Sequence, residues 1–328
     1  MLYNLHDDLL PALRANDKKT WNAIHILLLR YGEGKHIVTL SRDTLKQIKA
    51  NTTLGAAVER AVDDLRGRLD DRTGLRAAAL VQVDVVPDTV EEGWAKFGNH
   101  DVYKLRASSV EELDHATAAN LVVEALSDLT VVRRATEARA LRHTKRPALP
   151  FPSVALEGVI GGGGSIGTVI SERSRRRAPL IAVADSDRDA PESGAGSTLC
   201  AARDAVNKAA CCPAQLVELP ARELENLLPE GLIMAALTPG KQRLEAEQSA
   251  RLRAARQNKL LFPNNAGRRY QQLKDELDEN TLARCAELLD QSSPRDAQAL
   301  IFTDDDGTWV NLTTLLAWWG CSNGKVRL

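Results

Sequence analysis

The sequence predicts an α/β protein whose middle part, residues 116–236, is a parallel four-stranded sheet flanked by helices. Three observations predict it. Short apolar runs alternate there with stretches at helical spacing, the pattern of strands joined by crossover helices. Two of the runs, Asn120-Leu-Val-Val-Glu124 and Leu180-Ile-Ala-Val-Ala184, are nearly free of polar residues, as strands covered on both faces are. Both runs end on carboxylates: Glu124 and Asp128 after the first, Asp185 and Asp187 after the second.

Residues 1–115 precede this sheet and read as a separate α/β unit. Residues 21–30 form an apolar helix ended by Gly32 and Gly34, and 35–40 a short strand. Ser41 reads as the N-cap of a helix over 42–50, and Thr53 as the cap of another reaching about 69, with Val58, Val62 and Leu65 on one face. The Val-rich stretch 77–86 and residues 101–105 are strand-like. His25, His36 and Asp43 sit in amphipathic elements and read as structural.

In the middle part the strands are placed at 120–124, 153–156, 180–184 and 215–219. Helices are expected over 129–141, from the glycine turn Gly161-Gly-Gly-Gly-Ser-Ile-Gly167 to about 174, and over 197–210. A short helix over 220–229 follows, carrying Glu223 and Glu225. Residues 237–328 read as mainly helical with a Trp-rich end. Long helices are expected over 241–259, where Glu245 lies near Arg251, and over 270–289. A strand end is expected at 301–302, and an exposed turn at 304–306. Trp309, Trp318 and Trp319 are expected to pack in a core rather than stack on bases.

Composition narrows the function classes. A net charge of −1 with 27% charged residues describes a globular chain with no overall attraction to nucleic acid, so any such contact needs a local basic patch. The candidates are Arg173 with Arg175, Arg176 and Arg177, and the run 251–256. Solvated helix faces are the competing explanation for both. The five cysteines show no C-x-x-C pair and no suitably spaced histidine, which argues against zinc and fits a reducing, cytoplasmic setting. No basic leader precedes an apolar segment and no apolar run is long enough to span a bilayer, so no membrane role is expected.

The carboxylates carry the chemistry. Groups at the carboxyl ends of neighbouring parallel strands share a crevice. Crowded carboxylates repel, and a hard divalent cation with oxygen ligands relieves them. The order Val122-Val-Glu-Ala-Leu-Ser-Asp128, then the glycine turn, then Asp185-x-Asp187 resembles the TOPRIM domain shared by topoisomerases, bacterial primases and the overcoming-lysogenization-defect nucleases. Ala125 stands where that family has glycine. The stretch Arg222-Glu-Leu-Glu-Asn-Leu-Leu228 also resembles the acidic motif of phage-defence TOPRIM nucleases.

The resemblance implies an endonuclease dependent on Mg²⁺ or Mn²⁺, with catalytic Glu124, Asp128, Asp185 and Asp187. It implies metal ligation by Glu124, Asp185, Asp187, Glu223 and Glu225, and backbone approach at Gly162, Gly163, Gly164 and Ser165. It implies DNA or RNA as partner. No P-loop is present, so a regulatory partner protein, a separate ATPase subunit or a homo-oligomer would control activity. The four tyrosines Tyr3, Tyr31, Tyr103 and Tyr270 lie in no recognisable topoisomerase context.

Two other readings remain open. Gly162-x-Gly164-x-x-Gly167 with Asp185 downstream satisfies a dinucleotide-binding fingerprint. Against it, Glu124, Asp128 and Asp187 go unexplained, and the residues between the expected strand and the turn make a long connection. The other reading is a non-catalytic TOPRIM scaffold subunit.

Overall fold

The structure, a computed structural model, describes residues 1–50, 54–98, 100–112, 117–140, 149–151, 153–188, 193–237, 280–303 and 307–323. Two sheets organise it. The first runs in the order β2-β1-β3-β5-β4 and contains β1 (Leu2–Leu5), β2 (Ile37–Leu40), β3 (Val81–Val86), β4 (Gly93–Phe97) and β5 (His100–Arg106). Its strands are parallel except β4, which lies antiparallel on β5 at the edge. The crossovers carry helices α1 (Leu10–Arg14), α2 (Lys18–Gly32), α3 (Arg42–Lys49), α4 (Ala56–Gly67) and α5 (Leu69–Ala78), and α6 (Ala107–Val110) follows β5.

Local chemistry sets several of these boundaries. Asp17 accepts from Thr20 N at 2.8 Å and starts α2 a turn earlier than the apolar run suggests. Ser41 caps α3 as expected, accepting from Thr44 N at 3.1 Å. Thr53 lies outside the described residues, and α4 begins at Ala56 behind Gly55. The strand expected from residue 77 starts at Val81, because α5 continues to Ala78. β1 was not anticipated: four residues are too few to show a period. Nor was β4, whose residues are half-buried or exposed. His36 is fully buried with its ring 4.7 Å from that of Tyr3, a packing role.

The second sheet is parallel throughout, in the order β10-β9-β6-β8, from β6 (Ala119–Val123), β8 (Leu156–Ile160), β9 (Leu180–Ala184) and β10 (Ala214–Glu218). Side chains alternate between two cores, as the two-residue strand repeat requires. Leu121, Val123, Ile181 and Val183 join the large cluster that also holds the N-terminal unit and the C-terminal helices; Val122, Leu180, Ala182 and Ala184 face a second one. On the first face lies α7 (Leu126–Ala140), covered in turn by α11 (Thr281–Gln291), α12 (Pro294–Phe302) and α13 (Thr308–Trp319). On the second lie α8 (Ile166–Arg175) and α9 (Ser197–Asn207). The short α10 (Glu230–Leu237) packs on α11.

Three expectations change here. Residues 153–154 form β7 (Ser153–Val154), which pairs antiparallel with β11 (Cys321–Ser322); the sheet strand is the next one, β8. β8 is an edge strand carrying Glu157 and Gly158, so it presents no apolar run. Gly158 lets α7 pack close, since a Cβ there would stand 2.5 Å from the Leu129 side chain and would have to displace it. Residues 301–302 end a helix, not a strand: Ser293 caps α12 with Pro294 at its first position. Residues 220–229 hold only a 3-10 turn, Leu224–Leu227. The three tryptophans are buried. Trp309 donates to Leu227 O at 2.6 Å and Trp319 to Gln215 Oε1 at 2.8 Å, which ties the last helix to the second sheet. The charged run 241–259, the basic run 251–256, the first half of 270–289 and the turn 304–306 lie outside the described residues.

Candidate functional site

The winding of the second sheet reverses between β6 and β9. From β6 the chain crosses to β8 on one side, and from β9 to β10 on the other. At such a point the two crossover connections diverge and leave a crevice at the carboxyl ends of the strands. Glu124 follows β6 directly and Asp185 follows β9 directly, so both carboxylates stand at its mouth. They meet: Asp185 N donates to Glu124 Oε1 at 3.2 Å.

The other acidic residues are held around this pair by backbone contacts. Asp128 sits in the first turn of α7 and accepts from Ala125 N at 2.9 Å, bracing the bend after Glu124 and complementing the helix dipole. Asp185 Oδ1 accepts from Leu224 N at 2.9 Å, which couples β9 to the acidic turn after β10. Asp187 takes a left-handed conformation, φ 50°, which Asp tolerates better than most residues. Its N–H donates to Arg222 O at 3.0 Å. Gly196 passes so close that a Cβ there would stand 2.2 Å from Asp187 Cβ. Between the two aspartates, buried Ser186 donates to Ala221 O at 2.8 Å. Ser186 and Gly196 carried no signal in the sequence.

Crowding shows in the proton affinities. Burial, and then the negative charges of Asp187, Asp128 and Glu223, push Glu124 up to about 7, against a backbone hydrogen bond from Asp185 that pulls it down. Burial, and then Glu124, Asp128, Glu225 and Glu223, push Asp185 up to about 9. The largest charge effects on the two come from carboxylates, and a cation stands beside the cluster, Arg222 Nε at 4.0 Å from Glu223 Oε1. The crevice therefore has the donor chemistry that a hard cation fits, oxygen ligands with excess negative charge. As the side chains stand, no three His, Cys, Asp or Glu among the described residues form a ready group for a metal ion.

Not every expected ligand is equally placed. Glu223 is 5% exposed and serves as the N-cap of the Leu224–Leu227 turn in a reciprocal capping box with Asn226. That is a structural occupation of a carboxylate expected to bind metal. Glu225 is half-buried, and its charge acts on Asp185 and on buried Cys285, whose thiol is pushed up to about 12 mainly by burial. The basic run lies elsewhere. Arg175, Arg176 and Arg177 end α8, the opposite end from the crevice, about 15 Å away at 1.5 Å per residue. Arg177 pairs with Glu112 at 2.5 Å, and Arg175 Nε donates to Ser171 O at 3.3 Å. These are the contacts of a helix C-terminus, not of the crevice.

The glycine turn is part of the crevice wall. Gly161 N donates to Val123 O at 2.6 Å and Gly162 N to Glu124 O at 2.9 Å, so the turn holds the end of β6. Gly162 and Gly163 are left-handed, φ 68° and 51°, and a Cβ on Gly163 would lie 4.0 Å from Glu124 Oε2. Gly164 and Ser165 complete a single 3-10 turn into α8.

With β8 ending at Ile160, the turn follows its strand immediately, and the long-connection objection to a dinucleotide site falls. Strand order raises a stronger one. In a dinucleotide unit the ribose-binding acid ends the strand next to the glycine turn. Here β6 lies between β8 and β9, which sets Asp185 two strand spacings away, roughly 10 Å. Gly167 packs against α9, where a Cβ would stand 2.8 Å from Ala201 O, rather than against the sheet.

Comparison of the chain with protein-family models, with curated proteins and with solved structures returned no match. Among the described residues no helix is long and apolar enough to cross a membrane.

Proposed function

We propose that the crevice between β6 and β9 is the active site of a TOPRIM-like nuclease that hydrolyses phosphodiester bonds of DNA or RNA with Mg²⁺, or Mn²⁺ in its place. The observation that carries the proposal is the meeting of Glu124 and Asp185 at the reversal of the sheet, both pushed up by burial and by neighbouring carboxylates. Glu124, Asp185 and Asp187 would hold the cation, with Glu225 at the edge. A divalent ion there supplies neutralisation of charge on the phosphate. Without a cation the Glu124 carboxyl is pushed up to about 7; a cation bound to it would pull it down again, so Glu124 would serve either as a ligand or, left unligated, as the general acid or base. Asp128 positions Glu124 through the Ala125 N–H, and the Gly161–Gly162 backbone fixes the strand end on the other side.

The resemblance extends the proposal to the cell. The chain would be a cytoplasmic toxic effector of bacterial anti-phage defence, held in check by a regulatory partner protein, by a separate ATPase subunit or by its own oligomeric state. The test of the activity is cleavage of plasmid DNA and of tRNA with Mg²⁺ or Mn²⁺, wild type against Glu124→Ala and Asp185→Ala. Cleavage that needs the cation and disappears in both variants supports the proposal. Cleavage that survives either substitution, or none with any cation, refutes it. For the cellular role, harmless expression of a chain that cuts freely in vitro would sink the effector idea while leaving the nuclease.

A further inference from the structure

The N-terminal sheet repeats the reversal: β2 and β3 flank β1, so its winding turns between β1 and β3. Central strands of parallel sheets are normally apolar on both faces. This one carries a polar row across three strands. Asn4 of β1 stands in register with Thr39 of β2 and with Asp84 of β3. Thr39 Oγ1 donates to Asn4 Oδ1 at 3.2 Å, and Asn4 Nδ2 donates to Asp84 Oδ1 at 2.9 Å, an oxygen that also accepts from Gln82 Nε2 at 3.0 Å. Asn4 and Thr39 are 2% and 4% exposed. The hydrogen bonds within the row offset the desolvation cost of burying these groups.

The row opens into a cavity of about 320 Å³ at the carboxyl ends of β1 and β2, a volume in the range of small-molecule sites. Asn4 and Thr39 form its polar floor. Leu40 and Leu69 give it an apolar wall. Asp7, two residues beyond β1, and Arg76 on α5 stand at the rim. Asp7 Oδ1 accepts from Thr44 Oγ1 at 3.1 Å, which fixes the carboxylate at the first turn of α3. Arg76 is exposed and makes no ion pair among the described residues.

A small ligand with one anionic group, a hydroxyl-bearing middle and one flat apolar face matches this lining. Arg76 takes the anion. Asp7, a carboxylate just past a strand end, takes a vicinal diol. The leucines take the ring, and the Asn4–Thr39 row reads its polar edge. We infer that the cavity at the carboxyl ends of β1 and β2 binds a nucleoside monophosphate. The site is separate from the Glu124–Asp185 crevice and does not depend on its function.

The test is isothermal titration of the full chain with the four nucleoside 5′-monophosphates, their 2′-deoxy forms, ribose 5-phosphate and inorganic phosphate. The titration is run in wild type and in Glu124→Gln, so that binding at the other crevice is told apart. Saturable one-site binding of at least one nucleotide is expected, tighter than ribose 5-phosphate, unchanged by Glu124→Gln and weakened at least tenfold by Arg76→Glu. Asp7→Asn, which keeps an acceptor for Thr44, is expected to remove most of the preference for ribo- over deoxynucleotide. Circular dichroism and melting of both variants check that they fold. The inference is overturned if no nucleotide saturates the chain, if binding is lost in Glu124→Gln, if Arg76→Glu in a folded chain binds as wild type does, or if inorganic phosphate binds as tightly as the nucleotides.

Discussion

The two sheets start with the same arrangement, first strand in the middle, second on one side and third on the other, and differ in how their polar groups are treated. In the N-terminal sheet Thr39, Asn4 and Asp84 lie inside the strands and hydrogen-bond one another. In the second sheet the two central strands, β6 and β9, are buried and apolar but for Asn120, and the carboxylates stand just past their ends, where they crowd. The first set is satisfied within the protein. The second calls for a positive charge from outside it. Hydrogen-bonded polar groups stabilise the fold they sit in, whereas crowded like charges weaken it until a counter-ion arrives.

The contrast can be broken most forcefully through activity. Glu124→Gln removes a proton-exchanging carboxylate, and cleavage with Mg²⁺ should fall by about 10²- to 10⁴-fold, measured as initial rates on plasmid DNA or tRNA. A fall of less than about tenfold would remove Glu124 from the chemistry. Next in size is a stability effect in the first sheet. Asn4→Leu removes the hydrogen bonds from Thr39 and to Asp84, which keep Tyr3 O and Gln82 as partners, and should lower unfolding stability by roughly 1–2 kcal/mol in urea titration, the net worth of the lost bonds. No loss would mean that the row is not a structural unit.

In the second sheet the sign reverses. Without divalent cation, Asp185 and Glu124 hold protons in the folded chain that they release on unfolding near their ordinary values of 3.8 and 4.5. The folded state therefore binds more protons at these two groups, and their contribution to stability is greatest below about pH 4 and falls as pH rises toward about 7 for Glu124 and about 9 for Asp185. Asp185→Asn keeps an acceptor for Leu224 N and should flatten the upper part of that fall, so that the variant melts higher than wild type at pH 8 in EDTA. A lower melting point there would mean that the carboxylate is compensated by groups not described above.

The smallest effect is steric. Gly196→Ala sets a Cβ against Asp187 and should cost about 1–3 kcal/mol, together with a displaced Asp187 and weakened cation dependence.

Much of this contrast was legible in the sequence, for physical reasons. β6 and β9 are covered on both faces, so their residues are apolar apart from Asn120, and the carboxylates beyond them stand out against that run. The same feature made β8 hard to place, because an edge strand needs only one apolar face and Gly158 serves the packing of Leu129 rather than a turn. Glu223 shows the other limit. Its spacing fits a ligand, but its carboxylate closes a capping box with Asn226, a use that the spacing alone does not distinguish. The polar row of the N-terminal sheet joins residues 4, 39 and 84, a register that no local pattern reveals.

The central claim is that the crevice of Glu124 and Asp185 is a divalent-cation site. The most direct measurement is the melting temperature at pH 8 as Mg²⁺ and then Mn²⁺ are added from a cation-free start, in wild type and in Asp185→Asn. The account predicts a saturable rise in wild type, by several degrees at about a hundred times the dissociation constant, and little or none in the variant. Equal rises in both proteins, or no rise in either, would contradict it.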